Sequence, residues 1–140
     1  MLKHHWFTAT SLALLALFAS ALSQADAPTS IRSPEWAQPV GDQYNLYQMT
    51  PTLYRSALPD SRAVPLLENL KIGTVNSIMP ESDNNWLKAP SIRQVQLVYR
   101  TNHVDDSDVL AALRAIKEAE ANGPVLMHCK HGSYRTGLMA

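Results

Sequence analysis

The stretch from Val125 to Gly137 constrains the fold of this chain more than any other. Val125-Leu126-Met127 is short and wholly apolar, the pattern of a strand buried at the centre of a sheet. It runs directly into His128-Cys129-Lys130-His131-Gly132-Ser133-Tyr134-Arg135-Thr136-Gly137. A buried strand that breaks into a loop and restarts as a helix aims consecutive backbone N–H groups into one small space. Such a nest binds an anion, and the positive end of the following helix reinforces it. The rest of the chain must then supply a sheet around that strand and helices to cover it.

The remaining sequence supplies both. Asn45 to Met49 and Leu53 to Ser56 read as two short strands joined by a turn at Thr50-Pro51. Asp60-Ser61 is placed to cap a short helix through Leu70, with Val64, Leu67 and Leu70 on one face and Pro65 in its first turn. Ile72 to Met79 and Gln94 to Tyr99 are strand candidates. Asp106 or Ser107 opens the clearest helix, whose expected apolar face is Val109, Leu110, Leu113 and Ile116. Asn122-Gly123-Pro124 stops it. Strands alternating with helices predict an α/β domain.

That domain is expected to span residues 44–140. Residues 1–25 read as a cleavable export signal: Lys3, His4 and His5 precede an apolar run from Phe7 to Leu22, and Ser23-Gln24-Ala25 offers small residues before Asp26. A membrane span needs about 20 apolar residues, more than this run supplies. Residues 26–43, rich in Pro, Ser and Ala, read as a linker, with Trp36 docking onto the domain. The 140 residues allow one domain of ordinary size. Twelve basic and twelve acidic side chains balance, so no global field draws the chain to nucleic acid or to a membrane surface. With one cysteine there is no internal disulfide, and Cys129 is either a buried apolar filler or a reactive thiol.

Its surroundings favour reactivity. A thiolate at the mouth of the nest is stabilised by the same N–H groups that would hold an anion, so its pKa should fall well below the free value of about 8.5. Arg135 follows six residues later, and its planar fork matches two oxygens of a tetrahedral phosphate. Gly132 permits a tight loop, and Gly137 would let the next helix approach its neighbours. Thr136 can donate its hydroxyl to the thiolate. His128 is expected to orient the loop rather than touch substrate.

His-Cys-x-x-Gly-x-x-Arg-Thr-Gly resembles the signature loop of protein tyrosine and dual-specificity phosphatases. Tyr54-Arg55-Ser56 and Gly123-Pro124-Val125-Leu126 are similar to the exported bacterial members of that family. The resemblance implies a cysteine-phosphatase fold, with a central mixed sheet flanked by helices and a strand–phosphate-loop–helix active site. It implies Cys129 as nucleophile and Arg135 as phosphate clamp. Lys130, His131, Gly132, Ser133, Tyr134 and Thr136 would form the rest of the binding loop. The substrate would be a phosphorylated protein, chiefly phosphotyrosine, with no metal or organic cofactor, in the periplasm or outside the cell. The family also uses a general acid. Its expected position here is Asn102, whose amide cannot donate that proton, so Asp105 becomes the first choice. Asp106, and a site with no acid, remain behind it. A weak acid would favour phosphotyrosine, because a phenolate with a pKa of about 10 leaves more readily than an alkoxide. Against the family pattern, the chain reads as ending early, three residues after Gly137.

Three other readings are open. A basic loop carrying Lys130 and His131 could serve an inositol phosphate or phosphoinositide. A site without an acid could bind phosphotyrosine without turning it over. His128, Cys129 and His131, with or without His103, could hold a metal, although structural zinc sites use wider spacing. Trp86 and Tyr99 read as packing residues, and Arg55 as a stiffener of the site's rim or a surface ion-pair partner.

Overall fold

The computed structural model describes Ser33, residues 36–99 and residues 103–140. The expected signal peptide and Asn102 lie outside these residues. Val125–His128 (β6) is buried along its whole length because strands flank it on both sides. Leu53–Ser56 (β3) and Thr74–Ser77 (β4) pair with it in parallel, and Arg93–Gln96 (β5) extends the parallel part beyond β4. Gln38–Pro39 (β1) and Tyr47–Thr50 (β2) complete an antiparallel edge against β3. The sheet is therefore mixed, in the order β1-β2-β3-β6-β4-β5.

Strand alternation sorts the core into two layers. Tyr54, Val75 and Leu126 face one side and pack with Leu67 of the short helix Val64–Asn69 (α1), together with Trp86 and Leu87. Leu53, Val125 and Met127 face the other. They pack with Ala112, Ile116 and Ala119 of Asp106–Ala119 (α2) and with Met139 of Arg135–Met139 (α3). The expected cap of the first helix is present: Asp60 accepts a hydrogen bond from the Arg62 N–H at 2.9 Å and opens a single 3-10 turn into α1.

Several expectations need correction. β1 lies inside the stretch expected to be a linker, so the ordered fold begins before Tyr44. Its Pro39 is tolerated because β1 is an edge strand. Trp36 does not dock; it is 65% exposed. The last parallel strand ends at Gln96, ahead of the expected Tyr99. The face of α2 is also rotated: its fully covered residues are Ala112, Ile116 and Ala119, whereas Leu110 and Leu113 are about half exposed. Small side chains let α2 lie close against β4, and two alanines one turn on either side of Ile116 serve that approach better than leucines.

Candidate active site

The loop after β6 leaves the carboxyl end of the central parallel strand, where open α/β sheets place their ligand sites. Its backbone polarity is organised from outside. The Asn45 side-chain amide donates to the His131 carbonyl at 3.1 Å, and the Arg55 guanidinium donates to the Gly132 carbonyl. With the His131 carbonyl held by Asn45, the N–H of the same peptide, that of Gly132, faces the thiol. Arg55 is itself stacked over the Tyr47 ring, 4.4 Å from its centre. It is thus a rim stiffener, through a main-chain carbonyl rather than an ion pair.

Gly132 is where this turn depends on glycine. Its φ of +74° lies in the left-handed region, and a Cβ there would sit 2.4 Å from the Ala57 nitrogen. Gly137 is different. Nothing among the described residues lies within 4 Å of the place its Cβ would take, so the close approach expected there is absent.

The Gly132 N–H donates to Cys129 Sγ at 3.2 Å, and the Thr136 hydroxyl lies 3.6 Å from the same sulfur. Cys129 is almost fully buried. Burial pushes its pKa up. The Thr136 N–H and hydroxyl, then the Gly132 and His131 N–H groups, pull it down and prevail, so the thiol lies below its ordinary value. A lowered pKa favours the thiolate, the nucleophilic form of a cysteine.

Cys129, Lys130, His131, Tyr134 and Arg135 line one cavity of about 340 Å³. The Arg135 guanidinium donates to the carbonyl of Ile78, just past the end of β4. One edge of its fork is therefore fixed to the sheet while Arg135 remains part of the cavity wall. Lys130, His131, Ser133 and Tyr134 are exposed, and Thr136 is fully buried beneath them.

Below the loop lies a network that the motif alone did not reveal. His128 is completely buried, with Nε2 2.8 Å from Asp83 Oδ2, and Asp83 Oδ1 accepts a 2.9 Å hydrogen bond from the Trp86 indole N–H. The Trp86 and His128 rings meet edge to face, 6.1 Å apart. The His128 ring is thus bonded to Asp83 rather than to the loop, and its main-chain carbonyl accepts from the Ile78 N–H at 2.9 Å. Ile78 thereby connects both ends of the motif. Asp83 carried only a faint signal, an acid following the helix-capping Ser82.

Of the predicted site residues, Lys130, His131, Tyr134 and Arg135 line the Cys129 cavity and Gly132 and Thr136 reach its sulfur, whereas the exposed Ser133 and Asp105 are outside that lining. Asp105 stands at the N-cap of α2, its side chain 60% exposed and 2.8 Å from His103 Nε2. It does not line the Cys129 cavity. Its neighbour Asp106 is likewise exposed in the first turn. Among the described residues no three His, Cys, Asp or Glu side chains gather as a metal site would require.

Comparison with known proteins gives a consistent picture. Residues 43–140 match the tyrosine phosphatase family. The dual specificity protein phosphatase TpbA of Pseudomonas aeruginosa is 52% identical over 109 residues, which is 78% of this chain and 50% of that protein. A crystal structure of P. aeruginosa TpbA in complex with pTyr superposes with a TM-score of 0.74 at 50% identity, covering 78% of this chain and 67% of that one. An inositol diphosphatase of Oryza sativa subsp. japonica is 32% identical over 96 residues, covering 62% of this chain and 43% of that protein. The chain thus spans about half the length of the curated TpbA relatives it matches, or less.

Proposed function

This chain belongs to the tyrosine phosphatase family, and we propose that it hydrolyses phosphotyrosine in protein substrates through a covalent phosphocysteine. The observation that carries the proposal is Cys129 itself. Its sulfur is ringed by N–H and hydroxyl donors at the floor of a cavity that Arg135 also lines. A bound phosphate monoester would receive hydrogen bonds from the loop N–H groups and from the Arg135 fork. The Cys129 thiolate then attacks phosphorus, an S–P bond forms, and the P–O bond to the tyrosine ring breaks, its electron pair leaving on the phenolate. In the second step water attacks phosphorus and the S–P bond breaks. Inorganic phosphate departs and the thiolate is restored, with the Thr136 hydroxyl in place to stabilise it. The loose transition state of phosphoryl transfer makes positioning and charge neutralisation the main sources of rate, and this loop supplies both.

The binding-only alternative is disfavoured by the thiol's environment, since holding phosphate requires the N–H groups and Arg135 but not a lowered thiol pKa. The decisive experiment is phosphate release from a phosphotyrosine peptide by the wild type and by Cys129→Ser. Release by the wild type, a phosphocysteine trapped by acid quench, and no release by the variant are expected. A folded wild type that releases nothing would refute the catalytic reading.

We propose further that residues 1–25 carry this activity out of the cytoplasm, a reading supported by the apolar run from Phe7 to Leu22 and the small residues of Ser23-Gln24-Ala25 after it. Chain recovered from the periplasm of an expressing bacterium should begin at Asp26, and an intact leader on cytoplasmic material would oppose export.

A further inference from the structure

A second cavity of about 410 Å³ adjoins the one at Cys129, with Lys130 common to the walls of both. The two are also tied through the backbone: the Leu58 N–H donates to the Lys130 carbonyl at 3.3 Å, and Leu58 lines the second cavity. Its apolar surface comes from Leu58, Met79 and Trp86, and Glu81 stands with them. The walls are held in place. Gln96 Nε2 donates to the carbonyls of Met79 at 3.0 Å and Pro80 at 2.7 Å, and Trp86 is fixed by its bond to Asp83.

We propose that this cavity is a specificity subsite that takes an apolar side chain next to the phosphorylated tyrosine of a peptide substrate. The inference rests on the phosphotyrosine reading above and names a substrate feature within it. Leu58 is 42% exposed although it is a large apolar residue, so the free enzyme leaves apolar surface uncovered directly beside its catalytic loop. Covering that surface favours an aliphatic or aromatic neighbour. The charges point the same way. Both oxygens of Asp83 are turned to His128 and Trp86, which leaves Glu81 as the exposed acid of the wall and Lys130 as its cation. An acidic neighbour would gain only Lys130 and would set its charge against Glu81 and three apolar side chains. A further phosphate on an inositol ring would meet the same surroundings, where the site for a polyanion needs several cations. The subsite therefore separates peptide substrates from inositol polyphosphates.

The test measures kcat/KM for free O-phosphotyrosine, for phosphotyrosine peptides with Leu, Phe or Asp on each side of the tyrosine, and for an inositol polyphosphate. Filling an apolar pocket discriminates by about 10- to 100-fold, so one side of the tyrosine should show Leu or Phe preferred over Asp by that factor. In Leu58→Asp and Glu81→Lys, with every rate divided by that enzyme's own rate on free phosphotyrosine, the preference should collapse in the first and shift towards Asp in the second. Equal rates for all peptides, with free phosphotyrosine hydrolysed, would overturn the subsite and leave the phosphatase reading intact. A preference that survives both substitutions would overturn it too, as would an inositol polyphosphate turned over faster than any peptide. Failure to hydrolyse free phosphotyrosine would remove the underlying activity and the subsite together.

Discussion

Gly132→Ala tests most directly how the loop would activate its proposed nucleophile. The added methyl would require a left-handed residue with a side chain, at a cost of about 1–2 kcal/mol. It would also fall 2.4–2.8 Å from the backbone of Ser56, the last residue of β3, and of Ala57 just after it, which cannot yield cheaply. The loop must move instead, and the group that moves first is the Gly132 N–H that donates to Cys129 Sγ. Loss of one preorganised donor at a reacting centre costs roughly 10²–10³ in turnover. We therefore expect kcat/KM on free phosphotyrosine to fall by about that factor. Stability in urea should fall by only about 1–3 kcal/mol, leaving the protein folded by circular dichroism. The thiol should also need a higher pH to react with iodoacetamide. Gly137→Ala is the matched control: the space is open and alanine suits a helix better than glycine. Its activity should be unchanged and its stability equal or slightly raised. A Gly132→Ala enzyme within threefold of wild type would refute the assignment of that N–H to the thiolate.

Other expectations follow from the same geometry. Thr136→Val keeps the side-chain volume but removes one donor from Sγ. The thiol pKa should rise and the acid limb of the kcat/KM–pH profile should move to higher pH; an unmoved limb would exclude a role for the hydroxyl. Because folding lowers the Cys129 pKa, the thiolate contributes stability that is complete above the ordinary thiol value of about 8.5 and is lost as pH falls through the lowered one. The stability difference between wild type and Cys129→Ser, from urea midpoints, should accordingly grow as pH rises across that window. Asp83→Ala would strand the Trp86 indole N–H and His128 Nε2 in a dry interior at about 1–3 kcal/mol each, and a midpoint shift well under 1 kcal/mol would contradict the network. Asp105→Asn should leave phosphotyrosine turnover within about threefold, given its exposed position beside His103. A loss of 10² or more would return it to the acid role the sequence suggested.

The proposed nucleophile and clamp were legible because the chemistry packs them into one short segment, where each residue type has a reason at its spacing. The groups that hold that segment were not, because topology rather than sequence proximity delivers them. Asn45 is 86 positions from the carbonyl it braces, Arg55 is 77 from Gly132, and Asp83 is 45 from His128. A local motif carries no trace of such partners. The sheet was readable wherever strands were short, apolar and bounded by turn residues, as β6 and β3 are. The two-residue β1 carries a proline and owes its existence to β2 beside it. On α2 the largest apolar side chains drew the expected stripe towards Leu110 and Leu113, yet the buried stripe runs through Ala112 and Ala119. Distance of approach to the sheet, which periodicity does not encode, decides between them.

β6 is paired residue for residue with β3 on one side and β4 on the other, right up to His128. Cys129 is thus the first residue beyond a doubly zipped strand, and its base can loosen only if two ladders open together. In the language of hydrogen exchange, the amides of β6 should report the free energy of opening the whole domain, whereas those of the exposed rim at Ser133 and Tyr134 report local fraying. Placing the sulfur there ties the main chain at Cys129 to both ladders, which must part before that end of the loop can leave the sheet.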